Sequence, residues 1–299
     1  MNRGILYGLA TYFLWGLFPL YWKLIDDIPA LEIIGHRIVW SFVFVWLIIL
    51  FQGEWVNFRP VLRQRRTLLT YALSGSLLAV NWLTYVWAVN NGYIVDSSLG
   101  YFINPLVSVV LGVIFLREKL RLWQWIPVGI ATLGVLYLTV SYGQLPWIGL
   151  TLAFTFATYG YIKKTAPLNS LHSFSLEMGF LALPALAYLL FLGYSGEGAF
   201  LRSGWMESLL LAFTGVVTGV PLLLFGGAAR RVPLSMLGFM QYLAPTLQFL
   251  IGVFVFKEAF TFDRMIGFGL IWIALAIFSF DSYRGYREAW GQAKDAEIE

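Results

Sequence analysis

The chain has 299 residues, 59% of them hydrophobic and 12% charged, with a mean hydropathy of +0.74. Soluble domains carry about 25% charged residues, so this surface has too few charges to face water and the apolar excess must face lipid. The net charge of +4 sits in short Lys/Arg clusters between apolar runs, which is no nucleic-acid signal, and the lack of cysteine excludes disulfides, thiolate metal sites and thiol catalysis.

A hydrocarbon core of about 30 Å is crossed by about 20 helical residues. Ten apolar runs of roughly that length follow one another: 4–22, 33–51, 68–89, 97–116, 122–140, 147–162, 173–193, 208–227, 234–256 and 264–281. None shows the two-residue alternation of barrel strands. The first run, "MNRGILYGLATYFLWGLFPLYWK", lacks the small-residue cleavage site of a signal peptide and reads as a retained span. Sixteen Tyr, thirteen Trp and twenty-five Phe suit the headgroup region. The expectation is an all-α integral membrane protein of ten transmembrane helices.

Counting Lys and Arg by loop puts fifteen on one side, including Arg59, Arg63, Arg65, Arg66, Arg117, Lys119, Arg121, Lys163 and Lys164. The other side holds four, Lys23, Arg202, Lys257 and Arg264. The positive-inside bias then predicts that both termini are cytoplasmic. Residues 282–299 read as a short polar tail.

The fourth run, "GYFINPLVSVVLGVIFLREKL", is echoed at Met240 by "MQYLAPTLQFLIGVFVFKEAF". The register that lays Pro105 on Pro245 also pairs Gly112 with Gly252, Arg117 with Lys257, and Glu118 with Glu258. Upstream it pairs Lys23 with Lys163 and Gly75 with Gly215; downstream, Gly129 with Gly269. Two halves follow, 1–141 and 142–281. Each has five spans, an odd number, so the second enters the membrane inverted. Inverted repeats are a transporter architecture with the solute site near the midplane between halves. Similar halves can exchange roles, which keeps the two end states close in energy.

"FPLYWKL", "HRIVWS", "NWLTYVWAVNNG" and "SLGYFINPLVSVVLGVIFLREKL", in that order, resemble the RarD branch of the EamA family, in the drug/metabolite transporter superfamily. Asp96 stands where that branch is expected to carry Glu. The resemblance implies ten helices in a basket around a central cavity, in the cell inner membrane. It also implies secondary-active export of small organic solutes such as amino acids, metabolites or drug-like compounds.

Ionisable groups inside spans are costly unless paired or wet, and mark function by default. Arg37 in "EIIGHRIVWSF" and Glu177 in "SFSLEMGFLAL" are such groups, and the repeat register pairs them with each other. Near the pseudo-twofold axis they could pair across the cavity; far from it they could not. Arg37 is a candidate for a substrate carboxylate or for holding Glu177, and Glu177 for taking a proton; helix packing is the plainer alternative. In the third span Asn81 and Tyr85 share a face at i, i+4 spacing, with Trp82 beside them. An unsatisfied amide would not face lipid, so this face lines the cavity or makes interhelical hydrogen bonds. Tyr101 and Asn104 precede Pro105, and Gln241 and Tyr242 precede Pro245; they can satisfy carbonyls freed by proline or bind solute.

Pro105 and Pro245 are candidate hinges, and Gly112 and Gly252 candidate close contacts. Glu118 and Glu258 read as boundary ion pairs or helix-end interactions. Lys23 and Lys163 read as snorkelled ends or gate residues. His36 can titrate near neutrality and is a second coupling candidate; His172 sits at a boundary. With no H-E-x-x-H, no Walker A sequence and two histidines, an enzyme is not expected, nor a metal, nor a cofactor. The expected partners are a small-molecule solute, the bilayer and, as a candidate coupling ion, protons, with no nucleic acid. A passive channel or facilitator and a membrane receptor or scaffold are the alternatives. Oligomeric state is not legible.

Overall fold

The computed structural model describes residues 3–91, 94–142 and 147–257, and beyond them 266, 269–270, 272–274, 276–278 and 280–281. Every regular element among these is helical. Five stretches are long and apolar enough to cross a membrane: Arg3–Ile25, Ala30–Phe51, Ser170–Ser195, Trp205–Ala229 and Leu234–Val255. In chain order the helices are α1 (Arg3–Gly16), α2 (Phe18–Trp22), α3 (Ala30–Phe51), α4 (Trp55–Phe58), α5 (Arg65–Asn90), α6 (Ile94–Phe115) and α7 (Leu122–Tyr142). Then come α8 (Trp147–Thr165), α9 (Ser170–Ser195), α10 (Trp205–Ala229), α11 (Leu234–Gln241) and α12 (Leu243–Leu250). The run 264–281 falls largely outside the described residues, as does Glu258.

Local chemistry sets the ends. Pro29 and Pro233, with φ −53° and −54°, precede α3 and α11, where their fixed φ directs the chain into the helix. Asn169 caps α9, its side-chain oxygen accepting from the His172 amide at 2.8 Å. Gly196, at φ +83°, ends the same helix, a left-handed position where glycine carries no Cβ penalty.

The two echo segments differ. Pro105 lies inside a continuous α6, whereas the chain turns at Tyr242, just before Pro245 in α12, and then widens into a π turn at Ile251–Val255. The first span likewise breaks at Leu17, ahead of Pro19 in α2. A proline offers no amide to the carbonyl four residues back, which favours a break there.

Packing joins α3 to α9 and α10, α5 to α8 and α9, α6 to α8 and α11, and α1 to α10 and α12. At Gly215 the backbones of α10 and α3 come close: a Cβ there would stand 2.3 Å from the Trp40 carbonyl carbon. Gly35 abuts Leu189 while Gly179 abuts Phe42, so α3 and α9 run antiparallel. Tyr12, Leu78, Tyr159, Phe174 and Phe225 centre the main apolar core. Leu122, Trp123 and Leu133 of α7 are exposed, as a lipid-facing helix requires. Among the described residues, an added Cβ on Gly129 or Gly269 would meet nothing within 4 Å.

Candidate functional site

A cavity of about 210 Å³ lies between α1, α2, α3, α5, α6, α8, α10 and the α11–α12 pair. Its wall includes Arg37, Asn81, Trp82, Tyr85, Tyr101, Asn104 and Gln241, seven of the nine solute candidates, together with Pro245. Trp15, Trp22, Phe156, Thr218 and Gln248 complete much of the rest. Among the described residues Arg37 is the one charged side chain in the wall.

Arg37 is held by neutral groups. Its Nε donates to the Thr218 hydroxyl at 3.0 Å, and its guanidinium lies 4.9 Å from the Trp22 ring centroid and 4.5 Å from that of Trp82. Indole faces attract the cation through their quadrupoles. No carboxylate pairs with it among the described residues.

The polar neighbours divide their bonding. Asn81 Nδ2 donates to the Leu152 carbonyl at 2.9 Å and the Thr155 hydroxyl at 3.0 Å, so it both ties α5 to α8 and borders the cavity. Asn104 is buried and accepts from Ser108 at 3.4 Å. Gln248 donates to the Trp15 carbonyl at 3.0 Å, joining α12 to α1. Tyr85 and Tyr101 meet edge to face, with centroids 6.1 Å apart.

Glu177 is elsewhere. Its carboxylate, fully buried, accepts from Ser74 at 2.7 Å, Lys163 at 2.8 Å and Tyr159 at 3.2 Å. Lys163 also donates to Ser173 at 2.8 Å and is itself buried. The snorkelled end expected of Lys163 is thus an internal ion pair joining α8 to α9. In the antiparallel α3–α9 contact, Arg37 lies about eight residues along α3 from the level of Glu177, or ~12 Å at 1.5 Å per residue. That offset along the helix axis keeps the two charges from pairing.

The other candidates also lie away from the cavity wall. Tyr242 is buried, its hydroxyl donating to the Phe102 carbonyl at 3.2 Å, and it packs by Phe239. His36 is buried near the start of α3, accepts from Trp40 Nε1 at 3.2 Å, and faces Phe200. His172 Nε2 stands 3.4 Å from Glu54. Lys23 pairs with the adjacent Asp26, and that hydrogen bond holds the Asp26 carboxyl below its usual range. Glu118 accepts from the amides of Leu234 and Ser235 at 2.6 and 2.9 Å, a helix-end contact that caps α11. Gly112 makes room for it: a Cβ there would stand 2.6 Å from the carboxylate. Gly252 lies half-buried in the π turn.

Comparison with known proteins adds the lineage. The EamA-like transporter family model matches residues 2–140. "Protein RarD" of Streptomyces exfoliatus is 49% identical over 96% of this chain and 91% of its own. The chain belongs to the EamA family. This RarD-like EamA protein is therefore a multi-pass membrane transporter. It is also 43% identical to "Uncharacterized transporter YojE" of Bacillus subtilis, over 96% of each chain. "Protein RarD" of Escherichia coli K12 is 42% identical over 94% of this chain and 95% of its own. A crystal structure covering 93% of this chain and 98% of its own shares the fold, with a TM-score of 0.72 at 20% identity.

Proposed function

We propose that this RarD-like EamA protein is a secondary-active exporter of small organic solutes that works by alternating access between two inverted five-helix halves, 1–141 and 142–281, in the cell inner membrane. The observation that carries the reading is an asymmetry along the helix axes. Arg37, seven residues into α3, borders an open cavity, while Glu177, seven residues into the antiparallel α9, is sealed in an ion pair. A carrier caught with one half open and the other closed has this form.

The internal spacing supports the inverted halves. Helices α3 and α9 begin at Ala30 and Ser170, and α5 and α10 at Arg65 and Trp205, both pairs in the register that lays Pro105 on Pro245. Helix α6 covers Ile94–Phe115, and α11 through the π turn covers Leu234–Val255, the same interval carried over by that register. Arg117 and Lys257 both adopt left-handed φ, +54° and +57°, a conformation uncommon outside glycine. The family model spans one such half, 2–140. Treating Lys163 as internal leaves fourteen cytoplasmic cations against four, so the positive-inside argument for cytoplasmic termini holds.

In this scheme the solute binds among Arg37, Asn81, Trp82, Tyr85, Tyr101, Asn104 and Gln241. The Lys163–Glu177 pair is the inner gate. Purified protein in proteoliposomes, preloaded with a metabolite panel and given no ATP, tests this. Saturable counterflow of at least one labelled panel member is expected. Non-saturating ion current, or no acceleration by internal solute for any member, would sink the carrier reading.

A further inference from the structure

We infer that the cavity selects a small organic anion: one carboxylate seated on Arg37, attached to a flat apolar body lying along the aromatic wall. The inference rests on the carrier reading for its biological use, but the binding site stands on its own geometry.

Arg37 brings to the cavity a charge that no described carboxylate compensates. Arg37 is always protonated, and its one hydrogen bond within the described residues goes from Nε to the neutral Thr218 hydroxyl. Its two terminal nitrogens have no protein acceptor there, and no described Asp or Glu shares the wall. The Trp22 and Trp82 faces, at 4.9 and 4.5 Å, steady the guanidinium without neutralising it. A charge in a largely apolar cleft gains most from an opposite charge with matching geometry. The planar fork of arginine donors fits a carboxylate in two parallel bonds. A cationic solute would meet repulsion from Arg37 with no carboxylate among the described residues to answer it. A neutral one can accept a hydrogen bond from the guanidinium but leaves its charge unneutralised.

Size and wall chemistry narrow the rest. Cavities for drug-sized ligands run about 300–1,000 Å³, and this one is about 210 Å³, which suits a single-ring solute. Trp15 and Phe156, with rings 5.5 Å apart, form an apolar flank. Such a flank takes a ring by stacking or edge contact.

The test uses purified full-length protein and scintillation-proximity binding of labelled phenylacetate at pH 7, with unlabelled phenylacetate, phenylacetamide and phenethylammonium as competitors. These share a ring and differ in charge. Phenylacetate is expected to compete at least about tenfold better than the amide, and phenethylammonium not at all. Arg37→Gln should erase the gap between acid and amide, and Arg37→Lys should keep part of it. Equal competition by the amide, tighter competition by the ammonium, an acid preference surviving Arg37→Gln, or no phenylacetate binding would each overturn the inference. The wild-type series decides the matter even if the variants fold poorly. Anion-selective binding without counterflow would contradict the carrier reading and support the anion site; counterflow confined to neutral or cationic solutes would do the reverse.

Discussion

Arg37 and Glu177 are paired by the register that lays Pro105 on Pro245 and carry opposite charges, yet Glu177 meets a charged partner while Arg37 meets only neutral groups among the described residues. The equivalent lysines show how. Lys163 turns inward to Glu177, while Lys23, which would repel Arg37, pairs outward with Asp26. Intramembrane cost made Arg37 and Glu177 legible in the sequence. The partner of Glu177 was hidden because a lysine in the last turn of α8 counts as a loop charge until α9 is seen to cover it. Trp22 and Thr218 were equally hidden, since their contact with Arg37 spans α2, α3 and α10. Breaking one partner of a buried pair leaves an uncompensated charge, worth about 3–5 kcal/mol. Lys163→Met and Glu177→Gln should each lower the unfolding midpoint in detergent, and the double variant should lose much less than their sum. Additive losses would mean the pair does not interact.

At the scale of elements, the runs from 4–22 to 234–256 fall on helices to within a few residues, because runs of apolar side chains need little context, while 264–281 lies largely outside the described residues. The breaks were not. Pro105 continues a helix while Pro19 and Pro245 sit beside turns at Leu17 and Tyr242, and which outcome prevails depends on neighbouring helices. Around Pro105 the packing is tight: a Cβ on Gly238 of α11 would stand 2.8 Å from the Pro105 carbonyl oxygen. The start of α11 depends on a distant residue, since Glu118 caps it from beyond the end of α6. Cap removal costs about 0.5–2 kcal/mol, so Glu118→Ala should lower thermal stability by that amount. Gly112→Ala, whose methyl group would press on the Glu118 carboxylate, should destabilise the wild type more than the Glu118→Ala background. Equal effects in both would contradict the close fit between Gly112 and Glu118.

For the whole molecule, the proposed alternating carrier needs two halves that face opposite sides of the membrane, since only inversion lets them exchange roles. The proposed repeat register rests on Pro, Gly and Glu falling together in one alignment; the matching left-handed turns at Arg117 and Lys257 were not legible, because neither residue type announces that conformation. Seven of the nine solute candidates border one cavity for a physical reason: amides and phenols avoid lipid, so polar positions on apolar spans turn toward shared interior space. Tyr242 shows the limit of that argument, since its hydroxyl is satisfied by a backbone carbonyl of α6 instead. The chain contains no cysteine, so single cysteines can report sidedness without background. The most direct test is labelling of Arg117→Cys and Lys257→Cys in intact cells with a membrane-impermeant maleimide, before and after permeabilisation. Inverted halves predict that Lys257→Cys reacts in intact cells and Arg117→Cys only after permeabilisation; reaction of both from the same side would contradict the account.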